Sequence, residues 1–154
     1  MRILVALVAM TMAGQAQAAE KARMAVFDFS LIDTSPAPPT TEELDRLRLL
    51  DGKLQTALAE RYAVVKAPTP PGANSIRGCN GCELDVARSL GTQQVTYGWV
   101  QKVSNLILNI NLVIEDAQTG KVLRADSVDI RSNTDDSWSR GLRFLLNERL
   151  FRDD

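Results

Sequence analysis

Between residues 105 and 116 apolar and polar side chains alternate, and this run limits the fold more than any other stretch of the chain. Leu106, Leu108, Ile110, Leu112 and Ile114 fall on one face. Asn105, Asn109, Asn111 and Glu115 fall on the other, interrupted by Ile107 and Val113. Successive side chains of a strand point to opposite faces, so a period of two predicts a strand with one face on a core and the other wetter. Residues 94–103 and 122–130 also read as strands, with Ser104-Asn105 and Ala117-Gln118-Thr119-Gly120 as the turns between them. Three strands joined by short turns make an antiparallel meander.

Upstream the pattern changes. Residues 23–29 form a continuous apolar run around Asp28, the signature of a buried strand. A proline-rich loop from Asp33 to Pro39 follows, and Pro68 to Gly72 forms a second one. Thr40-Thr41-Glu42-Glu43 matches a capping box, threonine at the cap and glutamate three later. The helix it opens runs to about residue 61, with Leu44, Leu47, Leu50 or Asp51, Leu54, Leu58 and Tyr62 at three-to-four spacing on one face. Residues 62–66 read as a short strand and residues 81–90 as a second helix stopped by Gly91. Trp138, Leu142, Leu145, Leu146 and Leu150 form the stripe of a last helix over residues 135–151. The order β-α-β-α-β-β-β-α predicts an α/β (α+β) fold: a mixed sheet of about five strands with three helices packed on it.

Residues 1–18 carry a positive start, a short apolar run and the site Ala16-Gln17-Ala18. This is the pattern of a secretory signal peptide cleaved after Ala18. The apolar run is about a dozen residues, short of the roughly 20 that span a bilayer. Ala19, not a cysteine, stands directly after the site, and no later segment is apolar for long enough to span. The expectation is a periplasmic protein with no membrane span after cleavage, residues 19–154 forming a single domain.

Composition narrows the chemistry. The 154 residues hold 18 basic and 19 acidic side chains, a formal net charge of −1. A nucleic-acid binder normally carries a strong basic excess. There is no histidine, which excludes Ser-His-Asp and Cys-His catalysis, histidine-ligated zinc and histidine-held haem. No cofactor is implied, and no catalytic constellation stands out.

The string Met24-Ala25-Val26-Phe27-Asp28-Phe29, and the late stretch from Val113 through Asp116-Ala117-Gln118-Thr119-Gly120 to Leu123, resemble the TolB amino-terminal and CsgG-like domains. Ala87-Arg88-Ser89-Leu90-Gly91 resembles the short helix that precedes their meander. A closer resemblance is to small exported bacterial proteins of a family of unknown function. It rests on Cys79-Asn80-Gly81-Cys82-Glu83, on residues 98–106, on Ser127-Val128-Asp129-Ile130-Arg131 and on residues 133–138. The resemblance implies a TolB amino-terminal-like fold that serves as an interaction module. It supplies no activity.

Several residues are candidates for function. Cys79 and Cys82 are the only cysteines. They read as a structural disulfide, as a redox-active dithiol at a helix start, or as part of a metal or copper site. Glu83 stands where c-type haem attachment needs histidine. Asn105, Asn109 and Asn111, beside Gln101 and Lys102, form an unusual polar row, because asparagine is a poor strand former whose amide both donates and accepts. With Trp99 they are candidate partner-binding residues, or else an exposed face bonded locally. Tyr97 and Trp99 share a strand face, and Gly98 between them admits a close approach. They and Trp138 read as core packing or as a partner-facing patch. Asp126, Asp129, Asn133, Asp135 and Asp136 are oxygen-rich, as a calcium site is. The simpler reading gives Asn133 or Thr134 to a helix cap and the two aspartates to the first turn. Asp28, Asp33, Glu42 and Glu43 read as solvated loop and cap residues. Arg131, Arg140, Arg143 and Arg149 read as flanking a solvated helix, or else as a basic rim to the asparagine row.

These residues favour a non-enzymatic periplasmic module that binds a partner protein. Two alternatives stay open: a thiol–disulfide or metal-handling factor acting through Cys79 and Cys82, and a small-ligand binding protein using the asparagine row and Trp99.

Overall fold

The computed structural model describes residues 20–35, 37–71 and 75–153. The expected leader, residues 1–18, lies outside the described residues, as do Pro36 and Gly72 of the two loops. The strands are β1 Arg23–Val26, β2 Ser30–Asp33, β3 Ala63–Lys66, β4 Gln94–Ser104, β5 Ile107–Asp116 and β6 Val122–Ile130. The helices are α1 Thr41–Ala59, α2 Cys82–Ser89 and α3 Asp135–Phe144, and α3 continues into a wider π-helical stretch, Leu145–Leu150. One six-stranded sheet runs in the order β3-β1-β4-β5-β6, with β2 also paired to β4. β1 is parallel to β3 and to β4, and β2 is parallel to β4. β4, β5 and β6 form the antiparallel meander.

The connections explain which face each helix takes. Strand β1 crosses through α1 to β3 on one side of itself, and β3 returns through α2 to β4 on the other side. Both crossovers join parallel strands, and right-handed crossovers running in opposite directions place their helices on opposite faces. The face under α1 and α3 holds the main core, which includes Met24, Leu50, Leu54, Leu58, Leu112, Trp138 and Leu142. Full burial of each such side chain stabilises by about 1.5–3 kcal/mol. The opposite face carries a smaller cluster of Ala25, Phe27, Ala67, Ile76, Ala87, Val95 and Ala117, with α2 and the cysteine loop packed on it.

The mixed sheet with three helices is as expected, and two details differ. The sheet has six strands rather than about five, because residues 23–29 do not form one strand. The chain leaves the ladder after Val26 and rejoins it at Ser30, pairing first with Thr96 and then with Trp99. Four steps along one strand thus match three along the other, which inserts one residue as a bulge. Gly98 makes room for it, since a Cβ there would lie 2.3 Å from the Phe29 ring. Leu106, expected on the core face, is 68% exposed in the turn between β4 and β5.

The bulge also creates a titrating group. Phe29 N–H donates to Asp51 Oδ1 at 2.7 Å, in place of a ladder bond. Burial pushes the Asp51 carboxyl up to about 6, with the Asp28 charge adding to the rise and the Phe29 N–H and Lys66 opposing it. Between pH 4 and 6 the folded state therefore binds more protons than the unfolded chain, and stability falls as pH rises through that window. Asp51→Asn keeps an oxygen for Phe29 and removes the charge. It is expected to gain about 1–2 kcal/mol over the parent at pH 7 and nothing at pH 4, with the partial exposure of the site discounting the full shift. Urea unfolding at the two pH values checks this, and an equal difference at both would reject it.

Candidate functional site

Strand alternation and register build two distinct sites on the meander. On the α2 side, pairing places Trp99 opposite Asn111, and Asn111 opposite Ser127. The next row is Gln101, Asn109 and Asp129. The α2 cluster reaches only as far as Val95, Tyr97 and Ala117. Beyond it these two polar rows are half-buried or exposed, and among the described residues no helix lies over them. Asn109 donates to Asp129 Oδ1 at 2.9 Å. Asn111 Nδ2 is buried without a hydrogen-bond partner. Trp99 stacks against Tyr97 with ring centroids 6.4 Å apart, and the Arg77 guanidinium lies 4.9 Å from its ring centre. A shallow depression of about 260 Å³ opens between Trp99, Asn111, Val113 and Ser127. At its edge Tyr97 Oη donates to Glu115 Oε1 at 3.0 Å. Burial pushes the Tyr97 hydroxyl far above its ordinary value, and the Glu115 charge adds to the shift.

Four of the six expected partner-binding residues, Trp99, Gln101, Asn109 and Asn111, therefore share this face. Lys102 and Asn105 do not. Lys102 is one position from Gln101 and points to the opposite side, where its side chain is 6% exposed. Its Nζ lies 2.7 Å from Glu43 Oε1 and 3.1 Å from Asp33 Oδ2. Asn105 sits in the β4–β5 turn, and its Oδ1 accepts from Asn133 at 3.1 Å.

These residues belong to a polar hub at the edge of the main core. Glu43 closes the capping box with Thr40 and also accepts from Lys102 and from Asn133 Nδ2. Burial alone would raise the Glu43 carboxyl. The hydrogen bonds from Lys102, Thr40 N–H and Asn133 outweigh it and hold the group below its ordinary value. Asp33 is likewise held down, with Ser35 and Lys102 overcoming its burial. Lys102 is raised, chiefly by Glu43 and then by Asp33, against the effect of burial. Asn133 Oδ1 accepts from Trp138 Nε1 at 3.1 Å and from Arg46 Nη1 at 3.2 Å. One asparagine thus ties α1, the β4–β5 turn and α3 together. The expectation that Asp33 and Glu43 are solvated is corrected: both are buried ion-pair partners.

The remaining candidates are placed as follows. Thr134, not Asn133, caps α3, accepting from Ser137 N–H at 3.3 Å. The acids around it do not converge. Asp129 pairs with Asn109, Asp135 with Arg46 and Asp136 with Arg140. Trp138 is fully buried. Cys79 and Cys82 form a disulfide, with Cα atoms 5.5 Å apart. Residue patterns alone missed the Asp33–Lys102–Glu43–Asn133 hub, although strict alternation from Gln101 already places Lys102 on the core face.

A small α+β domain, with a parallel half extended by an antiparallel meander, is the class these elements define. The chain belongs to the family described as "Protein of unknown function (DUF2380)", which matches residues 22–150. This agrees with the family expected from the cysteine loop and the meander strings. Among solved structures, the LpoB C-terminal domain from Escherichia coli is similar, with 15% identity and a TM-score of 0.53, over 79% of this chain and 90% of that one. A PelC dodecamer from Paraburkholderia phytofirmans aligns with 14% identity and a TM-score of 0.55, over 84% and 90%. TolB from Acinetobacter baumannii aligns with 10% identity and a TM-score of 0.46, over 84% of this chain and 29% of that one. At such identities the likeness to LpoB and PelC concerns the fold alone. No curated protein matches the chain in sequence. Among the described residues no helix is long and apolar enough to cross a membrane.

Proposed function

We propose that the protein is a non-enzymatic periplasmic module that binds a partner protein through the two open rows of the meander. The expected leader supports the compartment. The observation that carries the binding reading is the buried, unpartnered amide of Asn111 between Trp99 and Ser127. A buried donor left unpaired costs about 1–3 kcal/mol, and turning the Asn111 amide outward onto a partner's acceptor would relieve that cost. The rows are backed on the opposite face by the core and the Lys102 hub. A fixed face of amides flanked by an aromatic ring suits specific recognition, with Trp99 as the anchor.

The test is cross-linking and affinity capture of the tagged protein from its native periplasm. One dominant protein is expected. Asn109→Arg should cut its recovery at least tenfold without changing the melting temperature by more than a few degrees. Lys53→Glu, on α1 and across the sheet, should leave recovery unchanged. Recovery that ignores Asn109→Arg but is lost on Cys79→Ser with Cys82→Ser would sink the reading and move the site to the cysteine loop.

A further inference from the structure

The surroundings of the Cys79–Cys82 disulfide are odd for a plain clasp. Cys82 is the first residue of α2, where unpaired N–H groups and the positive end of the helix dipole favour a thiolate. The Glu83 carboxylate Oε2 lies 3.1 Å from Cys79 Sγ. A disulfide sulfur carries no proton, so the carboxylate makes no hydrogen bond there and rests against an uncharged atom. Both Sγ atoms and a Glu83 oxygen lie within 4.8 Å of one another, and all three residues are half-buried. Among the described residues no other group of three or more cysteine, aspartate or glutamate side chains is so arranged. Tetrahedral zinc, with Zn–S of about 2.3 Å and Zn–O of about 2.1 Å, holds its ligand atoms roughly 3.5–3.8 Å apart. The three atoms lie close to that volume: the sulfurs must separate, and the Glu83 oxygen must draw back from Cys79 Sγ by a few tenths of an ångström.

We propose that reduction of this disulfide turns the loop into a binding site for a thiophilic divalent ion of the Zn²⁺ type. The Cys79 and Cys82 thiolates and the Glu83 carboxylate hold the ion, and water completes the coordination. The reductant is a dithiol. Exchange passes two electrons to the Cys79–Cys82 bond, which breaks to give two thiols while the dithiol closes to its own disulfide. Metal binding then forms two metal–sulfur bonds and one metal–oxygen bond, and releases the two thiol protons to solvent. The disulfide and metal forms exclude each other, so the site is open only when reduced. None of its residues belongs to the open sheet rows, so it stands or falls separately from partner binding.

Cobalt(II) is the probe, titrated anaerobically into the protein reduced with a phosphine. The expected result is a thiolate-to-cobalt charge-transfer band that saturates at one ion per chain and is absent from the oxidised protein. Cys82→Ser should abolish the band. Glu83→Gln should keep the band but weaken the apparent affinity at least tenfold. Three outcomes overturn the proposal. One is no stoichiometric uptake by the reduced chain. Another is Glu83→Gln binding as tightly as the parent, which would leave a bare dithiol. The third is loss of circular dichroism on reduction that cobalt does not restore.

Discussion

Lys102→Met is expected to destabilise the fold by about 3–5 kcal/mol at pH 7. The substitution preserves much of the side-chain length and leaves the core packing nearly filled. What it removes is the only cation within ion-pair distance of Asp33 and Glu43 among the described residues. Both carboxylates are almost fully buried, with side chains 6% and 1% exposed. A surface pair broken in this way would cost less than about 1 kcal/mol. Here two shielded carboxylates would keep their hydrogen bonds from Thr40, Asn133 and Ser35 but lose their counter-charge, or take up protons at an energetic cost. The pH dependence separates this cause from lost packing. Asp33 and Glu43 have depressed folded-state pKa values, so their contribution is present above their unfolded values and lost as pH falls through the folded ones. The gap between parent and variant should be largest near pH 7 and shrink towards pH 3. Adding Glu43→Gln to Lys102→Met should recover part of the loss, because one orphaned charge disappears. Urea unfolding of the single and double variants at both pH values measures this. A loss below 1 kcal/mol at pH 7, or one independent of pH, would rule it out.

The hub also marks the limit of what residue patterns reveal. Local rules carried far. The capping box at Thr40 and Glu43 formed as the spacing predicts, and the alternation of Leu108, Ile110, Leu112 and Ile114 became the core face of β5. These features depend on neighbours within a few residues. The missed features depend on contacts far along the chain. Ser30-Leu31-Ile32-Asp33 is too short and too mixed to read as a strand alone. It pairs with β4 because Gly98, far along the chain, accepts the Phe29 ring. Asp33 and Glu43 looked solvated because their counter-charge, Lys102, comes from the same distant strand. The polar rows were legible as a row, but not as the uncovered half of a face, since α2 fixes that boundary by being only eight residues long.

Trp138→Ala is expected to cost about 3–5 kcal/mol, and Trp138→Phe about 1–2 kcal/mol. Trp138 is fully buried, so truncation to alanine opens a large cavity between α3 and the sheet. Gly141 on the same helix limits how that cavity can close. A Cβ at Gly141 would lie 2.7 Å from Ile130 Cγ2, so α3 already approaches the sheet as near as its backbone allows. Phenylalanine keeps most of the volume, losing part of the bicyclic ring and the indole N–H that donates to Asn133 Oδ1. Asn133 retains Arg46 on that oxygen, which is why the smaller figure applies. Equal losses for the two variants would mean that the hydrogen bond, not packing, holds the ring. Trp138→Phe has a second use, because the chain contains two tryptophans and the other is Trp99. In that variant all indole fluorescence comes from the proposed partner face. A partner that docks on the open rows should shift or quench it at saturation, and Asn109→Arg should abolish the change. Emission that stays constant while a captured partner binds with unaltered affinity would place the interface away from Trp99.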